Sequence, residues 1–210
     1  MSDAVVLYDY WRSSAAYRVR IALNLKGISY RSVPIDLVLG EQGGADYLAR
    51  NPQGLIPALD IDGVLLTQSL AIIDYLDQTR PEPRILPADP AARATALARA
   101  LVIAADTHPV QNLRVMNRLK SQFEASHDQA VEWNRHWIEL GFATLEAQAP
   151  YSGLFGGLQP DLADLCLVPQ MANARRFKVD LAPYPQLVRI DAELRALPAF
   201  AAAAPDAVKP

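Results

Sequence analysis

Cysteine is nearly absent from this chain. Of 210 residues only Cys166 carries a thiol, which excludes an internal disulfide, a redox dithiol and a cysteine-built zinc site. An excess of one charge is lacking too. Twenty basic and 23 acidic residues leave a formal net charge of -3, so there is no basic field for nucleic acid and no polybasic patch for a membrane surface. No apolar run reaches the roughly 18–20 residues that span a bilayer. Met1-Ser2-Asp3-Ala4 lacks the basic stretch that opens a secretory leader. What is present, 51% hydrophobic and 20% charged residues, is ordinary globular composition. The expectation is a soluble, cytoplasmic protein with no nucleic-acid or membrane partner.

The chain divides by pattern. Val5-Val6-Leu7-Tyr8 suits a buried strand, Ser13-Ser14 supplies N-cap chemistry, and Tyr17, Ile21 and Leu25 recur at helical spacing before Gly27. Tyr30–Ile35 reads as a second strand, and strand–helix–strand over so short a span predicts a parallel βαβ unit. Ala58–Ile61 and Val64–Thr67 flank Asp62-Gly63, a hairpin signal, and a helix carrying Leu70, Ile73 and Leu76 follows. The order βαβ then ββα predicts an α/β domain over 1–82 with a mixed four-stranded sheet. Arg80-Pro81-Glu82-Pro83-Arg84 breaks the pattern, and 83–89 reads as a linker. From Asp89-Pro90 onward no strand signal appears. Helices are expected over about 90–123, 129–149, 162–177 and 185–197, with a short one near 198–204, making 90–210 an all-helical domain. Pro109 and Pro169 should kink or interrupt two of these helices. Trp133, Trp137 and Leu145 share a helical face and read as core. Asp161-Leu-Ala-Asp164 reads as a capping arrangement, and Cys166 as a buried, unreactive thiol.

Several stretches in this order resemble the glutathione transferases, and within them the zeta class that includes maleylacetoacetate isomerase and its close relative maleylpyruvate isomerase. They are Ser13-Ser14-Ala15-Ala16-Tyr17-Arg18-Val19-Arg20-Ile21-Ala22-Leu23, Ile56-Pro57, Gln68-Ser69-Leu70-Ala71-Ile72-Ile73, His108-Pro109-Val110-Gln111-Asn112-Leu113-Arg114, and Ala163–Gln170 with Phe177–Leu181. The match runs nearly end to end. One departure is Ala15, where the family motif carries a cysteine. The resemblance implies a thioredoxin-like first domain that binds glutathione, an all-helical second domain that supplies the second substrate's pocket in the cleft between them, and a homodimer.

On their own, Ser13 and Ser14 are most simply helix caps. A serine protease reading fails, because all three histidines lie in the helical half and no Gly-x-Ser-x-Gly elbow exists. A serine hydroxyl at a helix start can instead stabilise a bound thiolate, lowering that thiol's pKa. The resemblance makes glutathione the source of that thiol, Ser13 the activating serine and Ser14 its close neighbour, with Ala15 replacing an auxiliary group. Gln68-Ser69 opens a helix whose free N–H groups suit an anion, which the family implies is the γ-glutamyl carboxylate. Ile56-Pro57 would be a cis peptide, with Ile56 aligning the cysteinyl backbone, and Gln42 would meet the glycyl end; in isolation Gln42 is a solvated loop residue. His108, Asn112, Leu113 and Arg114 match a family segment that contacts glutathione and substrate. Arg12, Arg114 and Arg176 are suited to a dicarboxylate, since guanidinium pairs with carboxylate through two parallel hydrogen bonds. No metal ligand set is found.

The function these features imply is glutathione-dependent cis–trans isomerisation of a maleyl keto acid, maleylacetoacetate or maleylpyruvate, in tyrosine or other aromatic-acid breakdown. Two alternatives stand beside it: a general transferase acting on electrophiles or α-halo acids, and a glutathione-transferase-like scaffold without catalysis.

Overall fold

The computed structural model describes residues 4–210, so the Met1–Asp3 part of the leader argument lies outside the described residues. Two compact units result: the chain up to Ile85 together with Leu197–Pro210, and Leu86–Ala196.

The first unit runs β1 (Val6–Asp9), α1 (Ser14–Leu25), β2 (Arg31–Pro34), a short α2 (Ala45–Leu48), β3 (Ala58–Ile61), β4 (Val64–Thr67) and α3 (Ser69–Thr79). The sheet has the order β2-β1-β3-β4. β1 and β2 are parallel, as a crossover through α1 requires, and the other two pairings are antiparallel. This is the expected βαβ–ββα arrangement. Asp62 and Gly63 both sit at positive φ, 53° and 76°, the conformation that lets a two-residue hairpin follow the strand twist. Leu7, Leu59, Ile61, Ile72, Ile73 and Leu76 form the core, none more than 2% exposed. Each such side chain contributes about 1.5–3 kcal/mol relative to leaving it in water.

The domain boundaries differ from the expected ones at both ends of the helical half. Residues 83–85 are not a free linker. The Lys26 ammonium, fully buried, donates to Asp77 Oδ1 (2.7 Å) and to the carbonyls of Arg80 (2.7 Å) and Pro83 (2.6 Å), and Asp77 Oδ1 also accepts from the Ile85 N–H (2.7 Å). Nor does the helical unit extend to residue 210. Helices α9 (Pro198–Ala203) and α10 (Pro205–Val208), at the end of the chain, pack with the first unit. The cause is α1. Its Tyr17, Arg20 and Asn24 donate to the carbonyls of Phe200 (3.4 Å), Ala203 (2.9 Å) and Ala199 (2.9 Å).

The second unit holds α4 (Pro90–Leu101), α5 (Leu113–Phe123), α6 (His127–Glu146), α7 (Leu162–Arg176) and α8 (Pro185–Arg195). Asp89 caps α4 by accepting from the Ala92 N–H (2.8 Å). The helix expected over 90–123 is broken: α4 passes into a π-helical turn at Val102–Thr107, then a 3₁₀ turn at Pro109–Gln111, before α5 starts. Pro109, which has no N–H to donate, sits where the regular ladder fails. Pro169, by contrast, does not interrupt α7. Twelve of that helix's 15 residues are buried, and packing outweighs the cost of the proline. The Asp161–Asp164 capping box forms as the sequence indicates. Asp164 accepts from the N–H groups of Phe155 (3.1 Å), Gly156 (3.0 Å) and Asp161 (3.0 Å). Burial, with the Asp161 carboxylate beside it, pushes its pKa up to about 7. Cys166 is buried, as expected.

Candidate functional site

Strand register brings the first-unit residues to one end of the sheet. Tyr8, near the end of β1, pairs with Ala58 at the start of β3, and Ala58 pairs with Thr67 at the end of β4. The loop after β1, the Ile56–Pro57 peptide and the Gln68–Ser69 turn therefore leave the sheet on the same side. The Ile56–Pro57 bond is cis.

Ser13 is the N-cap of α1. Its Oγ accepts from the Ala16 N–H at 3.2 Å, which leaves the hydroxyl hydrogen to donate elsewhere. Ser14 is the first residue of the helix, and both serines are half-buried. Arg12 is exposed. Its guanidinium donates to the Tyr10 hydroxyl (2.8 Å) and lies 5.0 Å from the centre of the Trp11 ring. Lys209 reaches the same indole at 5.2 Å. Cations near an aromatic ring are held by its quadrupole, so the positive charge beside Ser13 has a defined seat.

Helix α3 starts at Ser69, and its cap residue is Gln68, whose side chain makes no capping bond. Gln68 also has φ 67° and ψ 115°, a conformation that side-chain-bearing residues rarely adopt. The strained cap turns the first N–H groups of α3 toward the open end without a side-chain oxygen to satisfy them. That is the geometry of an anion site. Two residues not singled out in the sequence hold it: Gln53 Oε1 accepts from Gln68 Nε2 (2.8 Å), and Arg18 donates to Ser69 Oγ (3.3 Å) from a position only 1% exposed. The signal for Arg18 was available, because Arg18 and Arg20 interrupt a stretch that has no other polar residue from Ala15 to Leu23 apart from Tyr17. Gln53 carried none. Gln42 sits in a 3₁₀ turn over Glu41–Gly43 and is not a solvated loop residue, since its Oε1 is buried and has no hydrogen-bond partner. Gly54 lies against its carbonyl so closely that an added Cβ would stand 3.0 Å from the oxygen.

In the second unit the break between α4 and α5 carries His108, Asn112, Leu113 and Arg114. Two contacts fix it. Trp133 Nε1 donates to the Val110 carbonyl (2.8 Å), so Trp133 is a half-buried anchor rather than core, while Leu145 is buried as expected. Trp137 is also only half-buried, with its ring centre 5.9 Å from that of Trp133. Gly141 of α6 meets Thr107 so closely that a Cβ would fall 2.3 Å from its Oγ1. Asn112 is the N-cap of α5, its Oδ1 accepting from the Arg114 N–H at 3.1 Å, and Leu113 and Arg114 are exposed. His108 is half-buried. Arg176, the last residue of α7, places its guanidinium 4.7 Å from the Phe177 ring centre and donates to Asn173 Oδ1 at 2.7 Å. Among the described residues there is no cluster of groups fit to hold a metal ion.

Within the first unit, the residues fit a peptide-like thiol with a free carboxylate. Ser13 offers a hydroxyl at a helix start, α3 offers N–H groups, and Gln42 offers a buried, unpartnered oxygen to a donor.

Comparison with known proteins agrees. Residues 7–84 match the family model described as the glutathione S-transferase N-terminal domain. A maleylacetoacetate isomerase of Rhizobium meliloti strain 1021 is 51% identical over 213 residues, covering all of both chains. The holo structure of a maleylpyruvate isomerase, a bacterial zeta-class glutathione S-transferase, matches with TM-score 0.95 and 42% identity over 97% of this chain and 98% of that one. The maleylacetoacetate isomerase of Methylobacterium extorquens AM1, crystallised with malonate and glutathione, matches with TM-score 0.93 and 44% identity over 96% and 97%. The chain belongs to the glutathione transferase family, in its zeta class of maleylacetoacetate and maleylpyruvate isomerases.

Proposed function

We propose that this protein is a glutathione-dependent isomerase that converts a maleyl keto acid, maleylacetoacetate or maleylpyruvate, into its fumaryl isomer. The observation that carries the reading is the convergence, at one end of the sheet, of the Ser13 cap and the uncapped, strained start of α3. Bound glutathione would supply the sulfur that adds to the conjugated cis double bond, permits rotation about it and leaves unchanged.

The chain's own residues do the rest. Ser13 donates its hydroxyl hydrogen toward the sulfur, and the positive end of the α1 dipole adds to it; both favour thiolate over thiol. The α3 N–H groups, with Ser69 held from beneath by Arg18, bind the γ-glutamyl carboxylate. The main chain at Ile56 aligns the cysteinyl segment, and Gln42 accepts from the glycyl end. Gln68 is tied by Gln53 and keeps the turn in its strained form. His108, Asn112 and Leu113 are proposed as further glutathione contacts, since they match a family segment with that role. Arg12, Arg114 and Arg176 are each suited to pair with a substrate carboxylate, which would hold the double bond in place for attack. Ala15 costs little in this scheme, since the reacting sulfur is not the protein's. A homodimer and a cytoplasmic location belong to the same proposal, and sedimentation of the purified protein checks the first.

The test is stoichiometric. The protein is incubated with glutathione and maleylpyruvate or maleylacetone while the ultraviolet band of the cis-enone and the free thiol are followed together. Isomerisation at constant free thiol is expected. Thiol consumption with a stable adduct would make the protein a conjugating transferase instead, and absence of both turnover and glutathione binding would leave a scaffold.

A further inference from the structure

The second unit contains a chain of side-chain amides that leads to Arg176. Asn173 Oδ1 accepts from Arg176 (2.7 Å), Asn173 Nδ2 donates to Gln111 Oε1 (2.7 Å), and Gln170 Nε2 donates to the same oxygen (3.2 Å). All three amides are buried: Gln170 is 0%, Gln111 7% and Asn173 8% exposed. Their orientations follow one from another. A guanidinium can only donate, so Asn173 must turn its oxygen to Arg176. Its NH2 group then faces Gln111, which must present oxygen, and Gln170 must present nitrogen to that oxygen.

This order leaves a residue of unsatisfied groups. Gln111 Nε2 and Gln170 Oε1 are buried and have no partner. Protein interiors rarely keep such groups, because each forfeits its bonds to water without replacement. Core filling alone would be served better by apolar side chains at 111 and 170, and helix propensity does not favour Gln over Leu or Met. Two unpaired groups retained around one shared acceptor point to a requirement at the end of the chain, and that end is the guanidinium, held between Asn173 and the Phe177 ring.

We propose that Asn173 and Gln111 are positioning residues that fix Arg176 as the carboxylate clamp for the substrate, with Gln111 the shared acceptor that orients the set. The inference rests on the function proposed above, in which Arg176 binds a substrate carboxylate. Gln111 immediately precedes Asn112, so the same amide joins the clamp to the turn that starts α5. Fixing the clamp and ordering that turn are thereby one structural event.

The experiment is calorimetric and needs no turnover. Binding of glutathione and of S-(1,2-dicarboxyethyl)glutathione is measured on the wild-type protein and on Asn173→Leu, Gln111→Met and Gln111→Glu. The wild type is expected to prefer the dicarboxyethyl compound. Asn173→Leu and Gln111→Met should reduce that preference about 10- to 100-fold, the scale of loss when a positioned group is released. Gln111→Glu, which keeps an acceptor for both amides, should retain most of it. Since each preference is a ratio of two affinities on one sample, a general loss of folded protein cancels. An unchanged ratio in Asn173→Leu and Gln111→Met, or equal losses in Gln111→Met and Gln111→Glu, would overturn the positioning role. A wild type without the preference would overturn Arg176 as a clamp, a failure of the underlying reading that is visible before any variant is measured.

Discussion

In the first unit the groups offered to a ligand belong largely to the main chain, whereas in the second they are the ends of long side chains. Helix α3 presents N–H groups from a cap held at positive φ, the Ile56–Pro57 peptide is cis, and short polar groups such as the Ser13 hydroxyl and Gln42 Oε1 add to them. The second unit offers Arg114, exposed at the start of α5, and Arg176, exposed at the end of α7 and steadied by buried amides. The two solutions suit different ligands. A ligand that is always the same can be met by backbone, whose geometry the fold fixes. Substrate carboxylates are better met by guanidinium, whose fork reaches and adapts but must be restrained. Restraint is the role of Asn173 and Gln111.

The sharpest break in that comparison is on the stability side. Asp164 satisfies three N–H groups that have nowhere else to turn, so Asp164→Ala should cost about 3–5 kcal/mol, read from urea denaturation. Loss of under about 1 kcal/mol would mean that water replaces the carboxylate. Next in size is the site in the first unit. Ser13→Ala should lower kcat/KM about 10²–10³-fold, with the thiolate absorbance of bound glutathione falling at neutral pH. An equal thiolate signal in the variant would move the activating role to Ser14.

The pH dependence of Asp164 is a third test, and its sign is unusual for a carboxylate. Its folded pKa, about 7, lies above the unfolded value, so the native state binds the proton more tightly. The stability this contributes is full below about pH 4 and is lost as pH rises through 7. The advantage of wild type over Asp164→Asn should therefore shrink between about pH 5 and about pH 8, on either side of that pKa. An advantage that grows over that range would show that the three N–H bonds outweigh burial. The smallest effect is expected at Gln68. Gln68→Gly relieves the positive φ and should leave stability unchanged or raise it by about 0.5–1 kcal/mol, while weakening glutathione binding through loss of the Gln53 contact.

The same contrast explains what could be read from the residues alone. Sites made from backbone leave local marks: a pair of hydroxyls before an apolar stripe, Ile-Pro ahead of a strand, Gln-Ser at a helix start. The strand end and helix starts at Ser13, Ile56 and Ser69 were legible for that reason, while their ligand roles came from the resemblance to the glutathione transferases and the strain at Gln68 was not legible. Sites made from side-chain networks leave none. Gln111 and Asn173 stand 62 residues apart and meet only because the π-helical and 3₁₀ turns reset the chain between α4 and α5. Pro109 marked the break but not its form. The packing of α9 against α1 was hidden for a similar reason, since it depends on arginine and asparagine donors reaching carbonyls about 180 residues away.

One measurement tests the division of labour most directly: separate KM values for glutathione and for maleylpyruvate in Ser69→Ala and Arg176→Ala. The account predicts that Ser69→Ala raises the glutathione value alone, about tenfold, and that Arg176→Ala raises the maleylpyruvate value alone, by about tenfold or more. Variants that move both values together, or that exchange these effects, would contradict it.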